Sequence, residues 1–328
     1  MLRPEVIEQL FDLVDETSMI ISSELKMNYL HAMCESCQNI MSQEINLSLN
    51  EESKEILKSH YAKLEGLEFT QEEIRKALQL AILKGLKSER VTNAVMTPDS
   101  IAMILGYLIS KFMGDIKQAY MGDLTVGTAN LLTAVLNHLG AEPQMVYGVD
   151  VDSDLLKIAC TLSDMQEYEV QFYQQSSLKP LLVNPLDLII GDLPEGHLAK
   201  EELVNLDLTL SSQGVDYLPY LLIENHLNYL KPGGYGFYVI PNDLFSQSHS
   251  QDFHQLLKEN ATIQALLQLP MSLFKKDEVG KSLFIIQKHG EHVRPVNEVL
   301  VAQLPSFNDP HAFNQTLIRI ENWMKMNK

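Results

Sequence analysis

The chain of 328 residues is poor in cysteine, in long apolar runs and in positive charge. Its three cysteines are too few for a disulfide framework and are typical of a protein kept in a reducing compartment. The longest apolar run, Ile101 to Ile109, has about half the length of a membrane span. The N-terminus acquires acidic residues at once and has no apolar segment typical of a signal peptide. The sequence therefore predicts a cytoplasmic globular protein.

Basic residues are also scarce: 25 lysines and arginines stand against 43 aspartates and glutamates, for a formal net charge of −18. Acidic residues outnumber basic ones on both sides of residue 90. Because lysine and arginine supply most of the non-specific affinity for nucleic-acid phosphates, such a chain should bind DNA poorly unless a local basic patch or a partner supplies the charge. A simple role in solubility would explain the acidity equally well.

Length and composition favour an ordinary globular protein of about two domains, since 45% of the residues are hydrophobic and 21% are charged. Residues 4 to about 90 carry apolar side chains at helical spacing, and no strand pattern interrupts them. Thr70 and Glu73 have the spacing of a capping box at the start of one of these helices. We therefore predict a helical N-terminal domain over residues 1–90.

Cys34 and Cys37, with His31 nearby, have a spacing that also occurs in zinc sites. A zinc site of that kind needs four converging ligands, and the chain has no second cysteine pair to complete it. We therefore expect these residues to be packed or half-exposed in a helix, and no metal is predicted.

From about residue 91 strand and helix patterns alternate, which predicts a parallel, doubly wound α/β sheet in a second domain over residues 91–328. The final two strands lack a helix between them and predict an antiparallel edge strand. A helix should follow Thr97, with Pro98 at its first position. The expected strands are Ala119–Leu124, Met145–Val149, Gln171–Tyr173, Leu186–Ile190, Tyr235–Ile240, Ile263–Leu269 and Ser282–Gln287.

Three aspartates stand where predicted strands end. Asp123 precedes a turn at Gly127 that leads into a helix, while Asp150 and Asp192 end the second and fourth strands. Ligands of open α/β sheets bind at the carboxyl ends of the strands, where a glycine turn and a helix N-terminus present backbone N–H groups. The alternative for each aspartate is a helix N-cap, and Asp152 stands beside Asp150 as a competitor for that role. The order of the three favours one shared ligand site.

This order of segments resembles the class I S-adenosylmethionine-dependent methyltransferases. It is closer to the adenine-specific DNA methylases, among them the modification subunits of type I restriction systems, and most similar to the stand-alone bacterial YtxK-like proteins. The resemblance covers essentially the whole chain. The segments that carry it are Thr97-Pro98, Asp123 with Gly127-Thr128, Gly148-Val149-Asp150, Asp192-Leu193-Pro194 and Leu230-Lys231-Pro232-Gly233-Gly234.

The resemblance implies a Rossmann-like methyltransferase domain behind a small helical domain, with S-adenosylmethionine as the cofactor. Asp123 would cradle the methionyl part of the cofactor, and Asp150 would hold its ribose. Ser176 stands where an acidic residue near the adenine ring is expected, with Gln174 or Gln175 as substitutes. The implied cofactor-binding residues are Thr97, Pro98, Asp123, Gly127, Thr128, Asp150, Val151 and Ser176.

The resemblance also implies that Asp192, Leu193 and Pro194 form the catalytic segment of a methyltransferase acting on an exocyclic amine. Asp192 and the carbonyl of Leu193 would accept the two N–H groups of that amine. Two acceptors localise the nitrogen lone pair and aim it at the sulfonium methyl group. An adenine in DNA would first have to leave the duplex and stack on a flat side chain.

The chain departs from this pattern at several positions. Leu193 replaces a proline, and Glu195 replaces the aromatic residue on which a base would stack. Candidates for the missing ring are His197, Tyr217 and Phe245. Ala129 replaces the last glycine of the cofactor motif, which is acceptable if that residue is already helical.

These departures keep three functions open. The first is an adenine methylase that reaches DNA through a partner subunit, since the chain has no room for a separate base-reading domain. The second is an interaction protein that binds S-adenosylmethionine but has lost catalysis. The third is a methyltransferase that acts on a protein or a small molecule, for which an acidic surface is no handicap.

Overall fold

The computed structural model describes residues 2–89, 96–274 and 280–327 of the chain. Within these ranges the chain forms twelve α-helices and eight β-strands. The helices are α1 Pro4–Leu25, α2 Tyr29–Ser42, α3 Glu51–Tyr61, α4 Gln71–Ser88, α5 Asp99–Met113, α6 Asn130–Leu139, α7 Ser153–Asp164, α8 Lys200–Leu203, α9 Thr209–Ser212, α10 Leu218–Tyr229, α11 Ser250–Asn260 and α12 Pro310–Asn327. The strands are β1 Tyr120–Asp123, β2 Met145–Asp150, β3 Val170–Gln174, β4 Leu186–Asp192, β5 Leu230–Pro241, β6 Ala261–Gln268, β7 Lys281–Lys288 and β8 Leu300–Gln303.

All eight strands join one sheet in the order β3-β2-β1-β4-β5-β7-β6-β8. Strands β1 to β5 pair in parallel, which confirms the predicted doubly wound sheet. The predicted antiparallel strand is β7, which lies between β5 and β6 and runs opposite to both. The edge beyond β6 is completed by β8, which the sequence analysis did not predict because a strand of four residues is too short to show a clear alternation.

The chain leaves β1 towards β2 on one side and later returns to β4 on its other side. Strand order therefore reverses at β1, and the carboxyl ends of the strands beside it form the crevice in which open α/β sheets bind ligands. Helix α6 follows β1 and helix α7 follows β2, so both helix N-termini open at that crevice.

The N-terminal helices pack against the sheet domain through α7. Buried side chains of α1, α2 and α4 share one apolar core with Ile158 and Leu162 of α7. Cys34 and Cys37 lie in this core, and burial raises the pKa of the Cys37 thiol. The third residue of that sequence motif, His31, places its Nε2 atom 3.1 Å from a carboxylate oxygen of Asp154.

Helix α4 begins with the predicted capping box, in which Glu73 N donates to Thr70 Oγ1 at 3.3 Å and Thr70 N donates to Glu73 Oε2 at 3.0 Å. At the other end of the chain, α12 packs on α5, and the rings of Trp323 and Phe112 lie 5.9 Å apart. Among the described residues, every helix is too short or too polar to cross a membrane.

Candidate functional site

The strand register places the three predicted aspartates at the same edge of the sheet. Asp123 pairs with Gly148 of β2 on one side and with Ile190 of β4 on the other. Asp150 ends β2, and Asp192 ends β4. Because these strands are parallel, their carboxyl ends meet at the topological switch point, as the sequence predicts.

The turn after β1 is built on Gly127, which has a φ of +52°. Its N–H group donates to Asp150 Oδ2 at 2.9 Å, so the aspartate of β2 holds the turn of β1. A Cβ atom added to Gly127 would meet nothing within 4 Å, which means that the turn faces open space. Ala129 would be an acceptable replacement for glycine if it were already helical, and that condition is not met: it has a φ of +61° and precedes α6 as its N-cap, so the turn contains a second left-handed residue before the helix begins.

Asp152, and not Asp150, is the N-cap of α7. Its Oδ1 atom accepts hydrogen bonds from Asp154 N at 2.8 Å and Leu155 N at 3.1 Å. The N–H group of Asp152 in turn donates to Asp150 Oδ1 at 3.0 Å. Asp150 therefore joins the loops after β1 and β2 and is half-buried. Its neighbour Val151 is 63% exposed.

Asp123 is only 1% exposed, and Thr125 N donates to its Oδ1 atom at 3.1 Å. Burial raises the pKa of this carboxyl to about 8, the hydrogen bond from Thr125 opposes the rise, and the charges of Asp150 and Asp192 add to it. Strong perturbation of an acid by burial, with a smaller contribution from neighbouring charges, often occurs at functional sites. The carboxyl groups of Asp123, Asp150 and Asp192 at the three strand ends are thus close enough to interact electrostatically.

Both carboxylate oxygens of Asp192 are engaged. Thr97 Oγ1 donates to Asp192 Oδ2 at 2.9 Å, and Lys281 Nζ donates to Asp192 Oδ1 at 2.7 Å. Thr97 thus lies beside Asp192. Pro98 precedes the first residue of α5, whereas the sequence analysis placed it at the first helical position. Lys281 was missed by the sequence analysis, which began the last predicted strand one residue later, at Ser282.

The residues that follow Asp192 leave the sheet abruptly. Leu193 is buried, and its N–H group donates to Val239 O of β5 at 3.1 Å, which prolongs the strand pairing by one residue. Pro194 and Glu195 are exposed. Glu195 therefore stands at the mouth of the crevice and is not packed into the core.

The three candidate rings differ in their surroundings. Tyr217 is buried, and after burial itself the charges of Asp243 and Glu195 raise the pKa of its hydroxyl. Phe245 is half-buried and packs edge-on against Phe284 at 5.5 Å. His197 is exposed, lies 5.2 Å from the ring of Tyr217, and places Nδ1 2.8 Å from Asp216 Oδ1. His197 is thus the ring most open to a ligand.

The loop after β3 also borders the crevice. Gln175 N donates to the carbonyl of Asp150 at 3.0 Å, and Gln174 Nε2 donates to the carbonyl of Val151 at 3.2 Å. Ser176 follows them and is half-buried. Its neighbour Ser177, which the sequence analysis did not single out, is buried and donates its hydroxyl to the carbonyl of Leu124 in the turn after β1.

Comparison with known proteins identifies both parts of the chain. Residues 8–86 match the YtxK N-terminal helical domain, and residues 85–328 match the N-6 DNA methylase family. The uncharacterized protein YtxK of Bacillus subtilis is 34% identical over 321 residues, which are 97% of this chain and 97% of that protein.

Solved structures agree with this assignment. A protein of Listeria monocytogenes, described as a candidate class I S-adenosylmethionine-dependent methyltransferase, is 37% identical with a TM-score of 0.88, over 98% of this chain and all of that chain. A methyltransferase subunit of a type I restriction-modification system from Streptococcus thermophilus shares the fold, with a TM-score of 0.66 at 13% identity over 98% of this chain and 75% of that chain. The Rossmann-like methyltransferase fold implied by the sequence is confirmed. The chain belongs to the N-6 DNA methylase family of S-adenosylmethionine-dependent methyltransferases and carries a YtxK-type helical domain in front of the catalytic fold.

Proposed function

We propose that the chain transfers a methyl group from S-adenosylmethionine to an exocyclic amine, as an adenine N6 methylase does. The observation that carries the proposal is the fixed orientation of Asp192, whose two carboxylate oxygens accept hydrogen bonds from Thr97 and Lys281. This carboxylate ends β4, beside the strand that leads into the Gly127 turn. An oriented acceptor next to a cofactor turn is what activation of an amine requires.

The residues at the ends of β1 and β2 fit S-adenosylmethionine. The Gly127 turn leaves open space beside its backbone, and the carboxyl groups of Asp123 and Asp150 retain acceptor capacity beyond the backbone N–H groups they bind. When bound, the cofactor would supply a sulfonium methyl group: the amine lone pair would form the C–N bond, the S–C electron pair would stay on sulfur as a thioether, and the proton lost by the nitrogen would pass to solvent. The full set of proposed cofactor-binding residues is Thr97, Pro98, Asp123, Gly127, Thr128, Asp150, Val151 and Ser176.

The proposed catalytic segment is Asp192, Leu193 and Pro194. Asp192 accepts one N–H group of the acceptor amine, and the backbone carbonyl of Leu193 accepts the other. Together they draw the nitrogen lone pair out of conjugation and hold it in line with the methyl group. Lys281 offsets the negative charge of Asp192, since its ammonium group lies 2.7 Å away.

A second function, methyl transfer to a protein or a small molecule, is favoured by the charges on the acceptor side. Glu195 is exposed there, and the negative charges of Asp243 and Glu195 both raise the pKa of the Tyr217 hydroxyl. Acidic groups repel DNA phosphates and attract cationic acceptors. A DNA acceptor would therefore require a partner subunit that supplies positive charge. Loss of catalysis, with retention of cofactor binding, is the remaining alternative that Glu195 favours.

Calorimetry and a transfer assay on the full chain test these functions in turn. Titration with S-adenosylmethionine should give a binding isotherm, and absence of binding heat would contradict the proposal. Labelled cofactor is then incubated with cell extract, with and without nuclease treatment. Label in N6-methyladenine that nuclease abolishes supports the DNA methylase, while nuclease-resistant label supports the second function. Cofactor binding without any transfer identifies a degenerate binding protein.

Substitution of Asp192 separates binding from transfer. Asp192→Ala removes the acceptor for the amine and should abolish transfer, while the Kd for S-adenosylmethionine changes by less than about threefold, because that residue faces the acceptor. Asp192→Asn retains one carbonyl oxygen and should retain part of the activity. Equal activity of Asp192→Ala and the wild type would remove Asp192 from the catalytic segment.

A further inference from the structure

Arg75 of α4 is only 1% exposed and is among the largest fully buried side chains of the described residues. A buried guanidinium must be paired, because an uncompensated buried charge is strongly unfavourable. Its Nε and Nη2 atoms donate to the two carboxylate oxygens of Glu72 at 2.7 and 2.6 Å. Its Nη1 atom donates to Asp99 Oδ1 at 2.9 Å and to Asn130 Oδ1 at 2.8 Å.

Two of these partners, Asp99 and Asn130, directly follow the loops that form the proposed cofactor site. Asp99 is the first residue of α5, directly after Thr97 and Pro98, and Asn130 is the first residue of α6, directly after the Gly127 turn. A single guanidinium from the helical domain therefore touches both loops. Both contacts cross from one part of the chain into the other.

The Asn130 amide passes this constraint on to the proposed catalytic carboxylate. Its Oδ1 atom faces Arg75, while its Nδ2 atom donates to the carbonyl of Thr97 at 3.2 Å. An amide can satisfy a donor and an acceptor in this way in only one of its two flipped orientations. The hydroxyl of Thr97 then donates to Asp192 at 2.9 Å. The chain of contacts runs from α4 through Asn130 and Thr97 to the end of β4.

We propose that Arg75 is a positioning residue of the methyltransferase site, so that the helical domain supplies a structural part of the cofactor pocket. The inference rests on the proposed function of that pocket. Arg75 fixes the segment before α5 against the turn before α6, and the spacing of these two loops sets the width of the crevice between Thr97 and Gly127.

The surroundings of Asp99 support this role. Lys76 and Gln79 of α4 also donate to its carboxylate. Burial alone would raise the pKa of Asp99, but the hydrogen bond from Lys76 and the charge of Arg75 hold that pKa below its usual value. The start of α5 is therefore clamped to α4 by several donors, and Arg75 is the donor that also reaches Asn130.

The experiment compares Arg75→Lys, Asn130→Ala and Lys84→Met in the full chain. Lysine keeps the charge but is shorter and has a single donor nitrogen, so it cannot bond Glu72, Asp99 and Asn130 through three separate nitrogens as Arg75 does. Asn130→Ala leaves Arg75 paired with Glu72 and Asp99. Lys84 is the matched control, because it lies on the same helix and pairs with Asp15 inside the helical domain. Each variant is measured by calorimetric titration with S-adenosylmethionine and by hydrogen exchange of the ligand-free protein.

Arg75→Lys and Asn130→Ala should each raise the Kd for S-adenosylmethionine about tenfold. A change of that size corresponds to the loss of roughly one hydrogen bond. Amide exchange should accelerate over residues 97–102 and 126–133 and stay unchanged over residues 10–37. Lys84→Met should leave the Kd within about twofold. If Arg75→Lys does not fold, Asn130→Ala alone decides the outcome.

Unchanged cofactor affinity and unchanged exchange in those two loops would overturn the inference and leave Arg75 as a bridge between the two parts of the chain. A wild type that binds no S-adenosylmethionine would overturn the proposed function alone, because the exchange comparison still decides whether Arg75 orders the loops.

Discussion

The ammonium group of Lys281 lies where an acceptor amine would have to approach Asp192. A cation at this point can either fix the orientation of the Asp192 carboxylate or occupy the position of the methyl-accepting amine. The hydrogen bond from Thr97 to the other oxygen favours the first role, because the two donors together fix the plane of the carboxylate. Each carboxylate oxygen has a further lone pair, so Asp192 can accept another hydrogen bond while both donors are in place.

Lys281→Met tests that role. Removing the ammonium frees the Asp192 carboxylate to rotate and leaves its charge unpaired, so methyl transfer should fall at least about tenfold while cofactor affinity stays within about threefold. Lys288→Met is the control, since Lys288 lies on the same strand and donates to the carbonyls of Leu227 and Leu230, away from the site. Faster transfer by Lys281→Met would instead show that Lys281 blocks the acceptor position.

The raised pKa of Asp123, about 8, predicts a pH dependence of stability. The folded state keeps a proton that the unfolded chain releases near its ordinary pKa of about 4. The free energy of unfolding contributed by this group therefore falls as the pH rises from about 4 to 8, by up to about 1.4 kcal/mol per pH unit, and is constant above that range.

Urea denaturation at pH 5 and pH 8 measures this contribution. Asp123→Asn keeps the size of the side chain and removes its titration, so the variant should become more stable relative to the wild type at pH 8 than at pH 5 by at least about 1 kcal/mol. Parallel pH profiles of the two proteins would show that Asp123 is ionised throughout this range.

Single residues of this site divide into those that sequence can reveal and those that it cannot. Asp123, Asp150 and Asp192 follow recognisable strands, so their convergence follows from the topology rule alone. Lys281 and Arg75 reach partners across the fold, and nothing in their local sequence distinguishes them from surface cations. Their roles depend on burial and on hydrogen bonds between distant segments, which only the folded chain supplies.

At the level of elements, the start of α7 contains two aspartates: one is the N-cap of the helix, and the other is the residue proposed to hold the cofactor ribose. Asp152 caps the helix by accepting two backbone N–H groups, and Asp150 instead holds the Gly127 turn. Two aspartates two residues apart thus have different tasks, although the sequence left an N-cap role open for either.

Asp152→Ala should lower the free energy of unfolding by about 1 kcal/mol, the usual effect of losing an N-cap. Cofactor affinity should stay within about twofold. Asp150→Asn should show the reverse pattern, with an affinity loss of about tenfold, because it removes the charge that holds the turn and faces the proposed ribose site. Urea denaturation and calorimetric titration of both variants check this, and similar stability and affinity profiles for the two would contradict the assignment.

The elements themselves were largely predictable. Apolar runs predicted the buried strands β4 and β5, and the Thr70 capping box predicted the start of α4. The insertion of β7 between β5 and β6 could not be predicted, because the order of strands in a sheet depends on long-range pairing. The left-handed conformation of Ala129 was also hidden, since alanine favours a helix wherever the turn does not prevent it.

At the level of the whole molecule, the helical and α/β parts share one apolar core. The domain boundary at residue 90 stays a prediction. Ile158 and Leu162 of α7, in the α/β part, are buried among residues of α1, α2 and α4 in the helical part. Because this core belongs to both parts, we expect them to unfold together.

Ile158→Ala should lower the free energy of unfolding by about 2–4 kcal/mol, since the side chain is fully buried and its removal leaves a cavity. Thermal unfolding should remain a single transition when followed by calorimetry and by circular dichroism. Leu155→Ala on the same helix is the control, because that side chain is less buried. Two separate transitions, of which only one moves, would show that the helical part folds independently.

The packing of Trp323 gives this molecule a built-in optical reporter. The sequence contains a single tryptophan, and its ring lies beside Phe112, at the far end of the helix that begins after Thr97 and Pro98. Its indole N–H group donates to the carbonyl of Glu298 at 2.7 Å, which holds the ring in place. Emission from this one fluorophore therefore senses α5 from the end opposite to the proposed cofactor site. A spectral shift on ligand addition would reveal, without any label, that binding at the other end of α5 changes the surroundings of Trp323.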